Sequence, residues 1–132
     1  MPRLLRYSAA ALVLAGGAFH LSLYQDGYSG VPRIGVLFLV NAAVSVVLAL
    51  ALIVRPLGAS AVAAIVFAAG SMAAFVLSRT TGLLGFSEVG FDTRSAATFA
   101  VEALSLAVIA LWFTSTRPRP EAVRLVGLRV RR

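Results

Sequence analysis

Four runs of apolar residues, approximately 4–24, 33–54, 57–78 and 95–116, dominate the 132-residue sequence. A bilayer core about 30 Å thick is crossed by roughly 20 helical residues, each rising about 1.5 Å. Each run has that length and is flanked by arginine, proline, glycine or acidic residues. The expected fold class is therefore all-α: a four-helix transmembrane bundle of up-down topology. The expected organisation is a bundle over 1–116 followed by a basic tail over 117–132.

Composition supports this reading. The chain is 60% hydrophobic and 13% charged, with a mean hydropathy of +0.93, whereas a soluble domain carries about a quarter of its residues as charges. A soluble chain this small could not hide so much apolar surface. The absence of cysteine removes disulfides, thiolate metal sites, iron–sulfur clusters and cysteine nucleophiles, and a single histidine cannot build a multi-histidine metal cage. No cofactor is expected, since haem would want a second strong axial ligand beside His20. Phosphate-cradling glycine loops, HExxH and the nucleophile elbow are also missing. Glu88, Asp92 and Glu102 lack the spacing of a Mg²⁺ or Ca²⁺ loop.

The formal charge of +7 comes from twelve arginines and no lysine. Cytoplasmic loops concentrate positive charge. With the N-terminus inside, Arg3, Arg6, Arg55, Arg117, Arg119, Arg124, Arg129, Arg131 and Arg132 share one side, nine against Arg33, Arg79 and Arg94 opposite. Both termini are thus expected in the cytoplasm of a cell whose inner membrane holds the protein. Arg3 and Arg6 ahead of an apolar run also resemble a signal peptide, but the run continues past Gly16-Gly17 to Leu23 and reads better as a span. A pI near 11.5 is common among nucleic-acid binders, but the arginines sit at span ends without interleaved stacking aromatics. Topology accounts for them, and no nucleic-acid partner is expected. In the tail they alternate with Val and Leu, a pattern suited to an anionic lipid surface. The use of arginine alone hints at a GC-rich genome.

Polar and small residues recur at helical spacing within the spans. Ser95, Thr98, Glu102 and Ser105 make one stripe in the fourth, Ser60, Ala64, Phe67, Ser71, Ala74 and Ser78 another in the third. Asn41 and Ser45 lie one turn apart in the second, and Gly16, Gly17, His20 and Tyr24 cluster in the first. Such faces pack against helices, since lipid offers them nothing. An ionisable group in hydrocarbon costs several kcal/mol, which singles out Glu102 and His20, with Asn41 beside them. Counted from the outer span ends by helix rise, His20 is about 6 Å deep, Asn41 about 12 Å and Glu102 about 10 Å. The three fall in one layer. They are the candidate binding residues, together with Arg79, beneath an apolar outer loop over 79–94 that supplies Glu88 and Asp92 as candidate lid residues.

The run His20-Leu21-Ser22-Leu23-Tyr24, then Pro32, Gly35, Phe38 and Asn41, followed by Ser78-Arg79-Thr80-Thr81-Gly82-Leu83, Gly85-Phe86 and Glu102, resembles a group of small four-span membrane proteins of actinobacteria. The resemblance covers nearly the whole chain. It implies four spans and draws attention to His20, Arg79 and Glu102, but it implies no activity. Small multidrug exporters of similar size carry their essential glutamate in the first span, where this chain has His20. Two functions lead from the sequence, ahead of a membrane enzyme that would need Glu102 and His20 to work alone as its acid–base pair. One is a non-enzymatic accessory subunit, partnered by another membrane protein or by its own copies through small residues such as Gly70 and Ala74. The other is an outward-facing binder or transporter of a cation, proton or small molecule through Glu102, His20 and Asn41.

Overall fold

The computed structural model describes residues 2–56 and 58–116. They form four long helices: α1 (Pro2–Gln25), α2 (Ile34–Val54), α3 (Gly58–Thr80) and α4 (Thr93–Ser115), with a short 3-10 turn at Tyr28–Gly30 between the first two. Among the described residues there is no strand, only an isolated bridge between Leu83 and Phe86. All four helices are long and apolar enough to cross a membrane. That is the architecture of a multi-pass membrane protein. The basic tail over 117–132, with its expected lipid contact, lies outside the described residues.

Local chemistry sets the helix ends. Pro56 follows the last turn of α2 and cannot continue it. Asp92 caps α4, its side chain accepting the Ser95 backbone N–H at 2.8 Å. Pro32 suits a helix start by sequence, yet α2 begins two residues later. Arg33 is held at φ 69° in a γ-turn, with the Ile34 N–H donating to the Pro32 carbonyl at 2.8 Å. The reversal seats Gly35 against the turn before it, where a Cβ would stand 2.6 Å from the Tyr28 carbonyl oxygen. The chain needs both the turn at Arg33 and a glycine at 35 to pass that point.

Packing around the bundle is uneven. α1 lies against α2 and α4, α3 lies against α4, and α2 and α3 meet over a much shorter stretch. The apolar core occupies one end, where Ala9, Ala10 and Val13 of α1 meet Ala49 and Leu52 of α2, Ala61 and Ala64 of α3, and Ile109 and Trp112 of α4. Alanines at the contacts let the helices approach closely, which replaces the hydrophobic drive that lipid cannot supply. The buried polar side chains His20, Ser78, Thr98 and Glu102 lie toward the opposite end. The outside is apolar: Val47 is 65% exposed, Val54 72% and Val66 65%. In water such a surface would be an aggregation site, and in hydrocarbon it costs nothing.

α1 and α2 come close at Gly17, where a Cβ would come within 2.6 Å of Ser45 Cβ and 2.9 Å of its Oγ, whereas one at Gly16 would meet nothing within 4 Å. Gly17→Ala should therefore destabilise the folded chain by about 1–3 kcal/mol, read as an earlier midpoint in a denaturing-detergent titration. Gly16→Ala should stay at the wild-type midpoint. Equal midpoints for both variants would show that α1 and α2 do not meet at this glycine.

Candidate functional site

The polar end of the bundle converges on one hydroxyl. Ser71, midway along α3, donates to Oε1 of Glu102 on α4 and accepts from the Asn41 Nδ2 of α2 at 3.1 Å. Nε2 of His20 on α1 stands 3.5 Å from the same oxygen and 3.6 Å from Glu102 Oε1. Ser45 extends the network by donating to Asn41 Oδ1 at 3.4 Å. All four helices thus contribute at least one side chain to a single cluster. His20, Asn41 and Glu102, singled out by sequence, are brought together.

Hydrogen-bond roles in the cluster follow from the partners. His20 Nδ1 lies 2.9 Å from the Gly16 carbonyl, which can only accept, so Nδ1 carries a proton. Nε2 then faces the Glu102 carboxyl across 3.6 Å. The Ser71 hydroxyl touches both groups and links the imidazole to the carboxyl.

The cluster forms the floor of a chamber of about 350 Å³, at the lower end of the roughly 300–1,000 Å³ typical of small-molecule sites. Its walls are apolar, with Leu37 and Phe38 from α2, Phe67 and Phe75 from α3, and Leu83 and Phe86 from the loop. Phe38 meets the His20 ring edge-on at 5.3 Å, which fixes the imidazole plane. Arg79 lines the chamber nearer the loop, its guanidinium 3.8 Å from the Phe75 ring centroid and donating to Ser95 Oγ at 2.7 Å. Arg79 does not join the floor cluster.

The loop is tied down rather than free. Leu83 and Phe86 exchange two backbone hydrogen bonds, at 2.7 and 2.8 Å, around a tight turn, and the Glu88 N–H donates to the Ser78 carbonyl at 2.8 Å. The Glu88 carboxylate accepts from the Tyr28 hydroxyl. Tyr28, Glu88 and Ser95 line the chamber and also a second, more polar depression on the loop side, which Asp26, Asp92 and Arg94 border. Asp92 borders the depression and not the chamber. The Ser95 hydroxyl and backbone N–H hold its carboxyl below the usual range. Asp26 pairs with Arg94 across the depression, linking the end of α1 to the start of α4, though both groups are half-exposed and such pairs contribute about 0–1 kcal/mol.

Sequence reasoning missed two residues. Ser71 stood in the α3 stripe but carried no mark among the other serines. Only the convergence of three helices on it shows its place. Tyr28 lies 60 residues from the Glu88 it bonds, a separation that leaves no local signal. Among the described residues no three His, Asp or Glu groups gather to hold a metal ion. No protein-family model, curated protein or solved structure matches the chain.

Burial first, and then the Glu88 carboxylate on its hydroxyl, push the Tyr28 phenol from 10.0 up to about 12. A folded-state value above the unfolded one means that the neutral phenol's contribution is complete below pH 10 and is lost as pH rises through about 12. An ultraviolet titration of the folded chain should show a phenolate step near pH 12 that Tyr28→Phe removes. A Tyr28→Phe titration identical to wild type would rule out the Glu88 contact.

Proposed function

We propose that the chain is a multi-pass protein of the bacterial inner membrane that binds a proton, cation or small polar molecule on the floor of the chamber, with Glu102 and His20 as the ionisable pair and Asn41 orienting the ligand through Ser71. The observation that carries this reading is the convergence of His20, Asn41, Ser71 and Glu102 at a chamber rather than in a sealed core. A group needed only to lock four helices gains nothing from an adjoining cavity, whereas a ligand site needs one. Intramembrane acids of this kind mark binding or proton-relay positions. An imidazole beside a carboxyl gives the floor protonation states that differ by one charge when a proton enters or leaves, which a cation can distinguish.

The arginine distribution, nine against three, supports an up-down threading with both termini in the cytoplasm and the chamber in the outer half of the membrane. The resemblance to actinobacterial four-span proteins and the exclusive use of arginine support a bacterial inner membrane. The chain has no cysteine, so single cysteines report its sides directly. Ser29→Cys in the first connection should react with a membrane-impermeant maleimide added to intact cells, and Ala59→Cys at the start of α3 should react only after lysis. The reverse pattern would invert the topology.

A second reading, an accessory subunit, is favoured by one observation: Gly70 faces open space and Val66 is exposed along the poorly closed α2–α3 side, which a partner helix could fill. Native mass spectrometry of the protein extracted from its own membranes separates the two. A reproducible small adduct should appear on the wild type and fall by about tenfold or more in Glu102→Gln, the effect of losing a charge-assisted hydrogen bond. Ser71→Ala should weaken it in the same direction. An adduct indifferent to both variants would exclude the floor as its site, and a co-purifying protein without an adduct would favour the accessory subunit.

A further inference from the structure

The side of the bundle between α2 and α3 is open at the depth of the spans. Leu37, Val40 and Val66 line the chamber and are also exposed on the outer surface, and a Cβ on Gly70 would meet nothing within 4 Å. The chamber therefore continues sideways into the medium around the helices, hydrocarbon for a chain that spans a membrane.

Arg79 stands where this seam meets the loop. Its guanidinium lies against Phe75 at 3.8 Å and within 5.9 Å of the Phe91 centroid. It donates to Ser95 at 2.7 Å and to Ser78 at 3.4 Å, and its Nε is buried without an acceptor. Among the described residues no carboxylate comes within ion-pair distance of it. The nearby acids are engaged elsewhere: Asp26 with Arg94, Glu88 with the Tyr28 hydroxyl, Asp92 with the Ser95 N–H. A half-buried guanidinium in this state has unmet donors and uncompensated charge, and its planar fork matches a phosphate.

We propose that the α2–α3 seam binds an anionic glycerophospholipid from the surrounding bilayer, with its phosphate on Arg79 and an acyl chain running between Leu37, Val40, Val66 and Gly70. The exposed apolar walls fix the source. A lipid tail reaches the seam without leaving hydrocarbon, which a free phosphate in water cannot do. The site goes beyond the ligand floor, because Arg79 and Ser71 are eight residues apart on α3, about 12 Å by helix rise.

Native mass spectrometry of the full chain in mild detergent tests this, with dioleoyl phosphatidylglycerol as the probe, dioleoylglycerol as its phosphate-free counterpart and oleate as a free carboxylate. Wild type should retain one phosphatidylglycerol, and dioleoylglycerol should be retained about tenfold less. Arg79→Gln should reduce phosphatidylglycerol retention by about the same factor, while Arg94→Gln, outside the chamber, should not. Because Arg79→Gln also removes the contacts Arg79 makes with Phe91 and Ser95, Gly70→Trp supplies a second variant: it fills the seam without touching Arg79 and should lower retention equally. Wild-type retention in either Arg79→Gln or Gly70→Trp, equal retention of dioleoylglycerol, or displacement by equimolar oleate would overturn the proposal. Glu102→Gln should leave phosphatidylglycerol retention unchanged, so that failure of the floor reading and failure of this one are told apart.

Discussion

A carboxyl group placed among apolar helices has to find its hydrogen bonds inside the protein, because hydrocarbon supplies none and isolation costs several kcal/mol. Glu102 meets that requirement through Ser71, and Ser71 in turn draws in Asn41 and His20. Four helices are held in register by this one demand. Each must present its polar residue at the same depth, and sliding any helix by a turn, about 5.4 Å, would leave a buried donor or acceptor unmet. The apolar contacts at the other end of the bundle are non-directional and tolerate such a slide far better.

The bundle is accordingly divided along its length. At the alanine-rich end, Ala9, Ala10, Ala49, Ala61 and Ala64 allow backbones to close on one another around Leu52, Ile109 and Trp112. At the polar end, phenylalanines at 38, 67 and 75 line the space between helices and a chamber remains. The same helices cannot be close at one end and spread at the other without opening a side. The short α2–α3 contact is where the opening falls, since α1 is held to α2 by the Gly17–Ser45 approach and α3 to α4 by the Ser71–Glu102 bond.

The four spans were legible because span length and charge interruption depend only on the bilayer, not on tertiary detail. The polar floor was legible for a related reason: Glu102, His20 and Asn41 are conspicuous in apolar runs, and helix rise alone placed them at similar depth. Ser71 was not legible, because a serine in a span is as well satisfied by its own backbone, as Ser105 is through the Val101 carbonyl, and only rotation about the helix axis separates the two cases. The turn that leads into α2 was not legible either, because the γ-turn at Arg33 accompanies the passage of Gly35 under the Tyr28 carbonyl, a contact that periodicity does not contain.

Closure of the chamber is also unequal on its two sides, and the inequality has a physical origin. On the loop side the chain is pinned by directional bonds, from the Glu88 N–H to the Ser78 carbonyl and from the Tyr28 hydroxyl to the Glu88 carboxylate, in a region where water competes for the same groups. On the α2–α3 side no hydrogen bond crosses above the Asn41–Ser71 pair among those the described residues form, and the facing side chains are aliphatic. In water the hydrophobic effect would shut such a gap. In a bilayer, lipid chains compete on nearly equal terms with protein side chains for the same contacts, so the gap carries little penalty. The bilayer thus permits the wide polar end that a soluble bundle of the same sequence could not keep.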